Sequence, residues 1–286
     1  MSTGMFTFTS DDGLTVHVGA WPAPGAPRGV VQIAHGMGEH GARYGRFART
    51  LNGRGYAVYA ADHRGHGRTA KEGPGTLGDD GWNRLVGDQV RLTELLRARH
   101  PGVPVVLVGH SMGSFAAQQY VLDHADLVDG LVLTGTTALD ALLAAAEAAG
   151  GSDDRFAAFN AAFEPARTPF DWLSRDEAEV DAYLADPFCG FALDPRGMRD
   201  LDASAPRLAD ATGVPADLPL YVAVGDRDPL NGGLALSDLL VRRYREAGLT
   251  DVTYRAYAGA RHEILNETNR DEVESDLVAW IDRVTG

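Results

Sequence analysis

Ser111 sits between two glycines in Gly109-His110-Ser111-Met112-Gly113, directly after the apolar run Val105-Val106-Leu107-Val108 and ahead of the helix-compatible stretch 115–122. A serine hydroxyl is a poor nucleophile unless the chain presents it well. A sharp strand-to-helix turn does so by lifting Oγ clear of the sheet and aiming the N–H groups of the helix start at the reacting carbonyl. Gly109 and Gly113 suit the close approach of strand and helix that such a turn imposes. The residues therefore point to nucleophilic attack on a carbonyl carbon, with Ser111 as the attacking group.

Such a serine needs a base, and the base needs an acid to orient it. Where the serine sits on a G-x-S-x-G elbow between strand and helix, the chain order is serine, acid, histidine. Two later loops supply the remaining members in that order: Gly225-Asp226-Arg227-Asp228-Pro229 after one apolar run, and Gly259-Ala260-Arg261-His262-Glu263 after another. His262 is the expected general base. Asp226 and Asp228 both stand in the acid loop. The three-residue step from Gly225 favours Asp228, with Pro229 fixing the chain after it and Asp226 bracing the turn through its backbone. The oxyanion formed on attack needs donors already in place. The N–H of Met112, next after the nucleophile, is one expected donor, and the N–H of Met37, in His35-Gly36-Met37-Gly38-Glu39-His40, is the other.

A second histidine-rich stretch, Asp62-His63-Arg64-Gly65-His66-Gly67, carries metal-capable side chains. No further ligand set accompanies it and the serine chemistry needs no metal. The stretch reads as a rigid turn at the end of a strand, with Arg64 or Asp62 pinning neighbouring loops. No Gly-x-Gly-x-x-Gly or Walker-type loop is present, so neither a nucleotide cofactor nor a metal is expected.

The elements that must position these loops follow from the apolar pattern. Residues 6–9 and 14–18 alternate around Asp11-Asp12-Gly13 and predict an antiparallel hairpin. Strands are expected at 30–34, 57–61, 105–108, 131–133, 220–224 and 252–257, with helices at 44–52, 83–100, after the Ser111 turn, at 233–247 and from near Glu267 to Val284. Strands alternating with helices imply a mostly parallel, twisted sheet covered on both faces.

The alternation breaks between about Thr136 and Pro215, too long a stretch to be an ordinary connection. It contains an alanine-rich helical run at 141–149 and a series of aromatic side chains, among them Phe156, Phe159, Phe163, Phe170, Trp172, Tyr183, Phe188 and Phe191. This composition is too apolar for a disordered linker. The segment 136–215 is read as a helical cap inserted into a core made of 1–135 and 216–286. Its aromatics either form a small core of the cap's own or line the underside over a pocket.

Bulk properties narrow the function further. The 286 residues can bury a substantial core, and a net charge of −14 argues against a nucleic-acid binder. Cys189 is the one cysteine, which rules out an intrachain disulfide or a thiolate metal cluster. The N-terminus lacks a basic segment followed by a long apolar region, and no apolar run approaches the roughly 18 residues that span a bilayer. A cytoplasmic protein is expected. The apolar cap could touch lipid transiently, although the charge gives no electrostatic reason for anchoring.

With these motifs placed, the chain resembles the α/β-hydrolase superfamily, and within it the monoacylglycerol lipase and lysophospholipase group, also classed with the serine aminopeptidase S33 hydrolases. The resemblance rests on residues 35–40, 62–67, 109–113 and 259–267, covers essentially the whole chain, and extends to the cap segment 163–173. It implies Ser111 as nucleophile, Asp228 as acid, His262 as base, and Met37 and Met112 as oxyanion donors. The implied activity is hydrolysis of a single-chain lipid ester such as a monoacylglycerol, without cofactor. A lysophospholipase or small-ester esterase would use the same machinery. A protein that senses an apolar ligand on a hydrolase scaffold is the reading from a different class.

Overall fold

The computed structural model describes residues 4–151 and 155–286. Met1–Thr3, part of the N-terminus read above for a targeting signal, lie outside the described residues. Eight strands form one sheet in the order β1-β2-β4-β3-β5-β6-β7-β8. They are β1 (Gly4–Thr9), β2 (Thr15–Trp21), β3 (Gly29–Ala34), β4 (Tyr56–Ala61), β5 (Val105–His110), β6 (Gly130–Thr134), β7 (Leu220–Gly225) and β8 (Val252–Tyr257). The hairpin β1–β2 pairs Phe8 with Val16 in antiparallel register, and β2 meets β4 antiparallel. From β4 through β3, β5, β6 and β7 to β8, every pairing is parallel.

The central strands read as continuous apolar runs because both faces are covered, and alternate residues feed opposite layers. On one face Val30, Leu107, Leu131, Leu133 and Val222 pack among side chains of α2 (Gly81–Arg99), α3 (Met112–His124) and α9 (Ala235–Glu246). On the other, Val31, Ile33, Val106, Val108 and Val132 meet Phe47 and Leu51 of α1 (Gly45–Gly53) and Val273, Leu277 and Ile281 of α10 (Arg270–Thr285). Truncating one of these fully buried aliphatics to alanine should cost about 2–5 kcal/mol.

The start of the last helix differs from expectation. Ile264–Asn266 forms a separate single turn, and α10 begins only at Arg270. Glu267 instead ties segments together. Its buried carboxylate accepts the backbone N–H groups of Arg175, Arg261 and Thr268 and pairs with the Arg175 guanidinium. A carboxylate holding donors from two segments cannot also serve as an exposed first-turn residue.

Between β6 and β7 the chain leaves the sheet and forms α4 (Leu139–Ala148), α5 (Arg155–Asn160), α6 (Glu177–Ala185), α7 (Pro195–Ala203) and α8 (Ala205–Leu208). Asp176 caps α6 by accepting from Ala178 N–H, and Asp194 caps α7 by accepting from Gly197 N–H, with Pro195 at the first helical position. These elements lie against the strand ends that carry the Ser111, Asp228 and His262 loops. The N–H groups of His262 and Glu263 bond the carbonyls of Trp172 and Leu173, Arg261 donates to the carbonyls of Asp171 and Ser174, and Arg46 pairs with Glu179.

Candidate active site

Ser111 ends the turn between β5 and α3 with φ 53° and ψ −121°, a region that costs a non-glycine residue roughly 1–3 kcal/mol and persists where the surroundings over-determine it. Here they do. Ser111 N–H donates to Thr134 O at 3.0 Å, and the Ser111 carbonyl accepts from Ser114 N–H at 2.8 Å and from Ser114 Oγ at 2.6 Å. A Cβ on Gly113 would fall 2.2 Å from Ala34 O and 2.4 Å from His35 O, so the helix start runs against the end of β3. Met112 opens α3, where N–H groups have no partner within the helix.

The loop after β3 passes beside the serine: a Cβ on Gly36 would lie 3.2 Å from Ser111 Cβ. Gly36 N–H is held by Glu39 Oε1 at 2.6 Å, and His35 Nδ1–H donates to Gly36 O at 2.7 Å. Met37 and Met112 both line the cavity that Ser111 lines.

His262 and Asp228 meet at the end of the sheet. His262 Nδ1–H donates to Asp228 Oδ2 over 2.8 Å, and Asp228 Oδ1 accepts Leu230 N–H at 2.9 Å. Asp226 lies elsewhere, accepting Gly259 N–H at 2.7 Å. His262 Nε2 is buried and has no hydrogen-bond partner among the described residues, and His262 lines the same cavity as Ser111. Burial disfavours the His262 imidazolium, but the Asp228 charge and hydrogen bond, helped by Glu263 and Glu39, outweigh it and raise its pKa above the ordinary 6.5.

A buried charged cluster braces this arrangement, and nothing in the sequence spacing announces it. Arg43 donates to Glu39 Oε2 at 2.7 Å and forks onto both oxygens of Glu263 at 2.6 and 2.8 Å. It thereby joins the Gly36–Glu39 loop to the His262 loop, 220 positions away in the chain. Burial alone would raise the Glu263 pKa, yet the Arg43 charge and hydrogen bonds bring it down to about 2. His110 lies with its ring 4.9 Å from that of His262 and shares a hydrogen bond with Thr134 Oγ1 at 3.0 Å. Burial and the neighbouring His262 lower its pKa to about 4.

The stretch 62–67 works as a latch. His63 N–H donates to His35 Nε2 at 3.0 Å, His63 Nε2–H donates to His35 O at 3.1 Å, and Gln89 Nε2 donates to His63 Nδ1. With the His35 Nδ1–H bond to Gly36 O, these occupy both ring nitrogens of His35 and of His63. Buried Arg64 pairs with Asp88 and Asp12, while Asp62 accepts the N–H groups of Gly41 and Arg68. Burial keeps the His63 pKa near 3 and the His66 pKa near 4, so both imidazoles are neutral beneath the Gly36 loop.

The cavity over Ser111 measures about 920 Å³. Leu139, Leu142, Phe156, Phe159, Met198 and Leu201 give it apolar walls, while Asn160, Glu39 and Glu263 add polar groups. The aromatics of the β6–β7 segment do both things considered for them. Trp172, Leu173 and Tyr183 form a cluster with Phe156, Phe159, Phe163 and Phe170, and several of the same side chains line the cavity. Trp172 lies with its ring 4.8 Å from the His262 ring, a neighbour that its place in the sequence does not reveal.

Residues 25–269 match the family model described as "Serine aminopeptidase, S33". The chain belongs to this family of α/β-hydrolases. Among its relatives, the S33 protein is 32% identical to the monoacylglycerol lipase of Mycolicibacterium smegmatis, over 96% of this chain and 95% of that one. The mouse monoglyceride lipase is 30% identical, over 94% of this chain and 88% of its own. The crystal structure of a thermostable carboxyl esterase from Bacillus coagulans, in complex with glycerol, superposes over the full length of both chains with a TM-score of 0.84 at 31% identity. The S33 chain is thus similar throughout to monoacylglycerol lipases and carboxyl esterases, and it has the α/β-hydrolase fold. Among the described residues no helix is long and apolar enough to cross a membrane.

Proposed function

We propose that the protein hydrolyses a carboxylic ester of a single acyl chain, of the monoacylglycerol kind, through Ser111, His262 and Asp228. The observation that carries this reading is the pairing of His262 Nδ1 with Asp228 while the buried Nε2 is left unpartnered on the cavity shared with the strained Ser111. In the first half of the reaction, Ser111 Oγ attacks the ester carbonyl carbon and its proton passes to His262 Nε2. The oxyanion accepts from the N–H groups of Met112 and Met37. Collapse breaks the bond to the alkoxy oxygen, which departs with the proton from Nε2, and an acyl-enzyme remains. Water then attacks that ester, Nε2 takes its proton, and collapse releases the fatty acid as Ser111 Oγ regains a proton.

The β6–β7 segment acts as a cap in this reading. Its apolar walls suit an acyl chain, and the volume of about 920 Å³ is at the upper end of small-molecule cavities. The similarity to monoacylglycerol lipases and to an esterase that binds glycerol supports a glycerol-like alcohol portion.

A fluorophosphonate probe should label the wild-type protein at Ser111 and leave Ser111→Ala unlabelled. A hydrolysis panel that varies acyl length and head group separately should then favour medium or long monoacylglycerols. Best activity on acetyl esters would withdraw the lipid assignment, and a folded protein that takes no label would favour a ligand-sensing role.

A further inference from the structure

We propose that His40, Asp186 and Cys189 form a binding site for a zinc-like divalent cation that staples the β3–α1 loop to the segment between β6 and β7. The site stands apart from the ester chemistry and does not depend on it. His40 Nε2 lies 2.9 Å from Asp186 Oδ2, and the ligand atoms of all three residues lie within 4.8 Å of one another. Tetrahedral zinc with nitrogen, oxygen and sulfur ligands at their usual bond lengths sets those atoms about 3.3–3.6 Å apart. Small side-chain movements therefore bring the three onto one ion, with a fourth position left for water.

The donor set suits the ion. Imidazole, carboxylate and thiolate together select zinc over magnesium or calcium, which take oxygen. The two ligands from the β6–β7 segment are held by a tight turn, in which Cys189 N–H donates to Asp186 O at 3.0 Å. The second carboxylate oxygen of Asp186 accepts Phe188 N–H at 2.9 Å, an outer-shell bond that orients the carboxylate. Each of the three residues is half-buried, neither sealed from solvent nor free to swing.

The surrounding field also favours a cation. The carboxylates of Glu39, Asp186 and Glu263 and the guanidinium of Arg43 all act on the Cys189 sulfur. Three anions set against one guanidinium leave a net negative field, which a divalent cation would offset. The same two segments are already joined, since Gly38 O accepts from Gly190 N–H at 3.0 Å and from Tyr183 Oη at 2.8 Å. A metal would replace the direct His40–Asp186 bond with a coordinated link and bring Cys189 into the tie.

The test uses full-length protein stripped with EDTA. Titration with Co²⁺ should produce a thiolate-to-cobalt charge-transfer band saturating at one equivalent, and Zn²⁺ should displace it. Cys189→Ser should lose the band, and Asp186→Asn should bind Zn²⁺ more than about 10-fold more weakly, a loss that even outer-shell changes produce. Zn²⁺ should also slow alkylation of Cys189 by iodoacetamide and amide exchange across 183–190, in wild-type protein that needs no mutation to be read. Absence of the band, undiminished Zn²⁺ affinity in Cys189→Ser, or an unchanged alkylation rate would each overturn the site.

Discussion

Asp226 and Asp228 stand two residues apart on one turn and hold different partners: Asp228 takes the Nδ1–H of His262 at 2.8 Å, Asp226 the backbone N–H of Gly259 at 2.7 Å. The difference follows from the turn. Gly225 O receives Asp228 N–H and Asn231 Nδ2, which folds Asp228 inward, while Asp226 stays at the rim and ties the acid loop to the histidine loop. Asp228→Asn should lower kcat by about 10⁴-fold, because the amide no longer fixes the imidazole tautomer or stabilises its protonated form. Asp226→Asn should keep kcat within about tenfold and cost about 0.5–1.5 kcal/mol of stability from a weakened, half-buried bond. Steady-state kinetics and urea unfolding of the two variants separate the roles, and equal, mild losses of kcat would remove Asp228 from the proposed triad.

The raised pKa of His262 gives the pH profile a definite sign. As the proposed general base His262 must be neutral to act, so the acid limb of kcat/KM should lie above pH 6.5. Glu263 and Glu39 contribute to that rise, so Glu39→Gln should move the limb toward lower pH. Stability responds in the opposite direction. The folded pKa exceeds the unfolded value, so the contribution of His262 is fully present below pH 6.5 and is lost as pH rises through the folded pKa. A kcat/KM profile of Glu39→Gln superimposable on wild type would show that the buried anions do not tune the base.

His63, His66 and His110 behave the other way. Burial lowers their pKa values to about 3, 4 and 4, so the unfolded chain takes up protons that the folded one refuses as pH falls from 6.5. Unfolding free energy should therefore decline steadily from pH 6.5 toward pH 4. His66→Phe removes one of these groups, and its ring still meets Phe191, whose centroid is 5.1 Å from that of His66. Urea titrations at several pH values should show a shallower slope for this variant. A slope equal to that of wild type would place the acid lability elsewhere.

The residues that the local pattern reveals are those whose role is local. Strands β3 to β7 are legible because burial on both faces demands nearly continuous apolar runs, and the glycine-flanked Ser111 turn is legible because backbone crowding demands small residues. Asp228 could be preferred over Asp226 because a turn sets its offset from Gly225. The Arg43 fork onto Glu263 carries no such signature: its partners are set by how β3 and β8 terminate in space, not by any spacing along the chain. The same holds for Glu267, which looks like a helix start until Arg175 and Arg261 fold onto it. Trp172 is one aromatic among many in its segment, but its approach to His262 depends on the carbonyl bonds that dock 172–173 on the histidine loop.

Backbone crowding at the Ser111 turn can be tested against a neutral site in the same protein. Gly113 is buried at the start of α3, and an added Cβ would meet backbone oxygens of Ala34 and His35 at 2.2 and 2.4 Å. Neither oxygen belongs to a flexible side chain, so the contact can be relieved only by moving α3 away from β3. Gly113→Ala should lose more than about 3 kcal/mol, well above an ordinary substitution, and should displace Met112 N–H along with the helix start. Gly87 lies exposed within α2 with nothing within 4 Å of an added Cβ. Gly87→Ala should therefore stabilise the protein by about 0.5–1 kcal/mol through helix propensity and reduced freedom of the unfolded chain. Urea midpoints of the two variants, measured beside wild type, should move in opposite directions. A Gly113→Ala protein as stable as wild type would mean that strand and helix are not packed this closely, and the strained presentation of Ser111 would lose its structural cause.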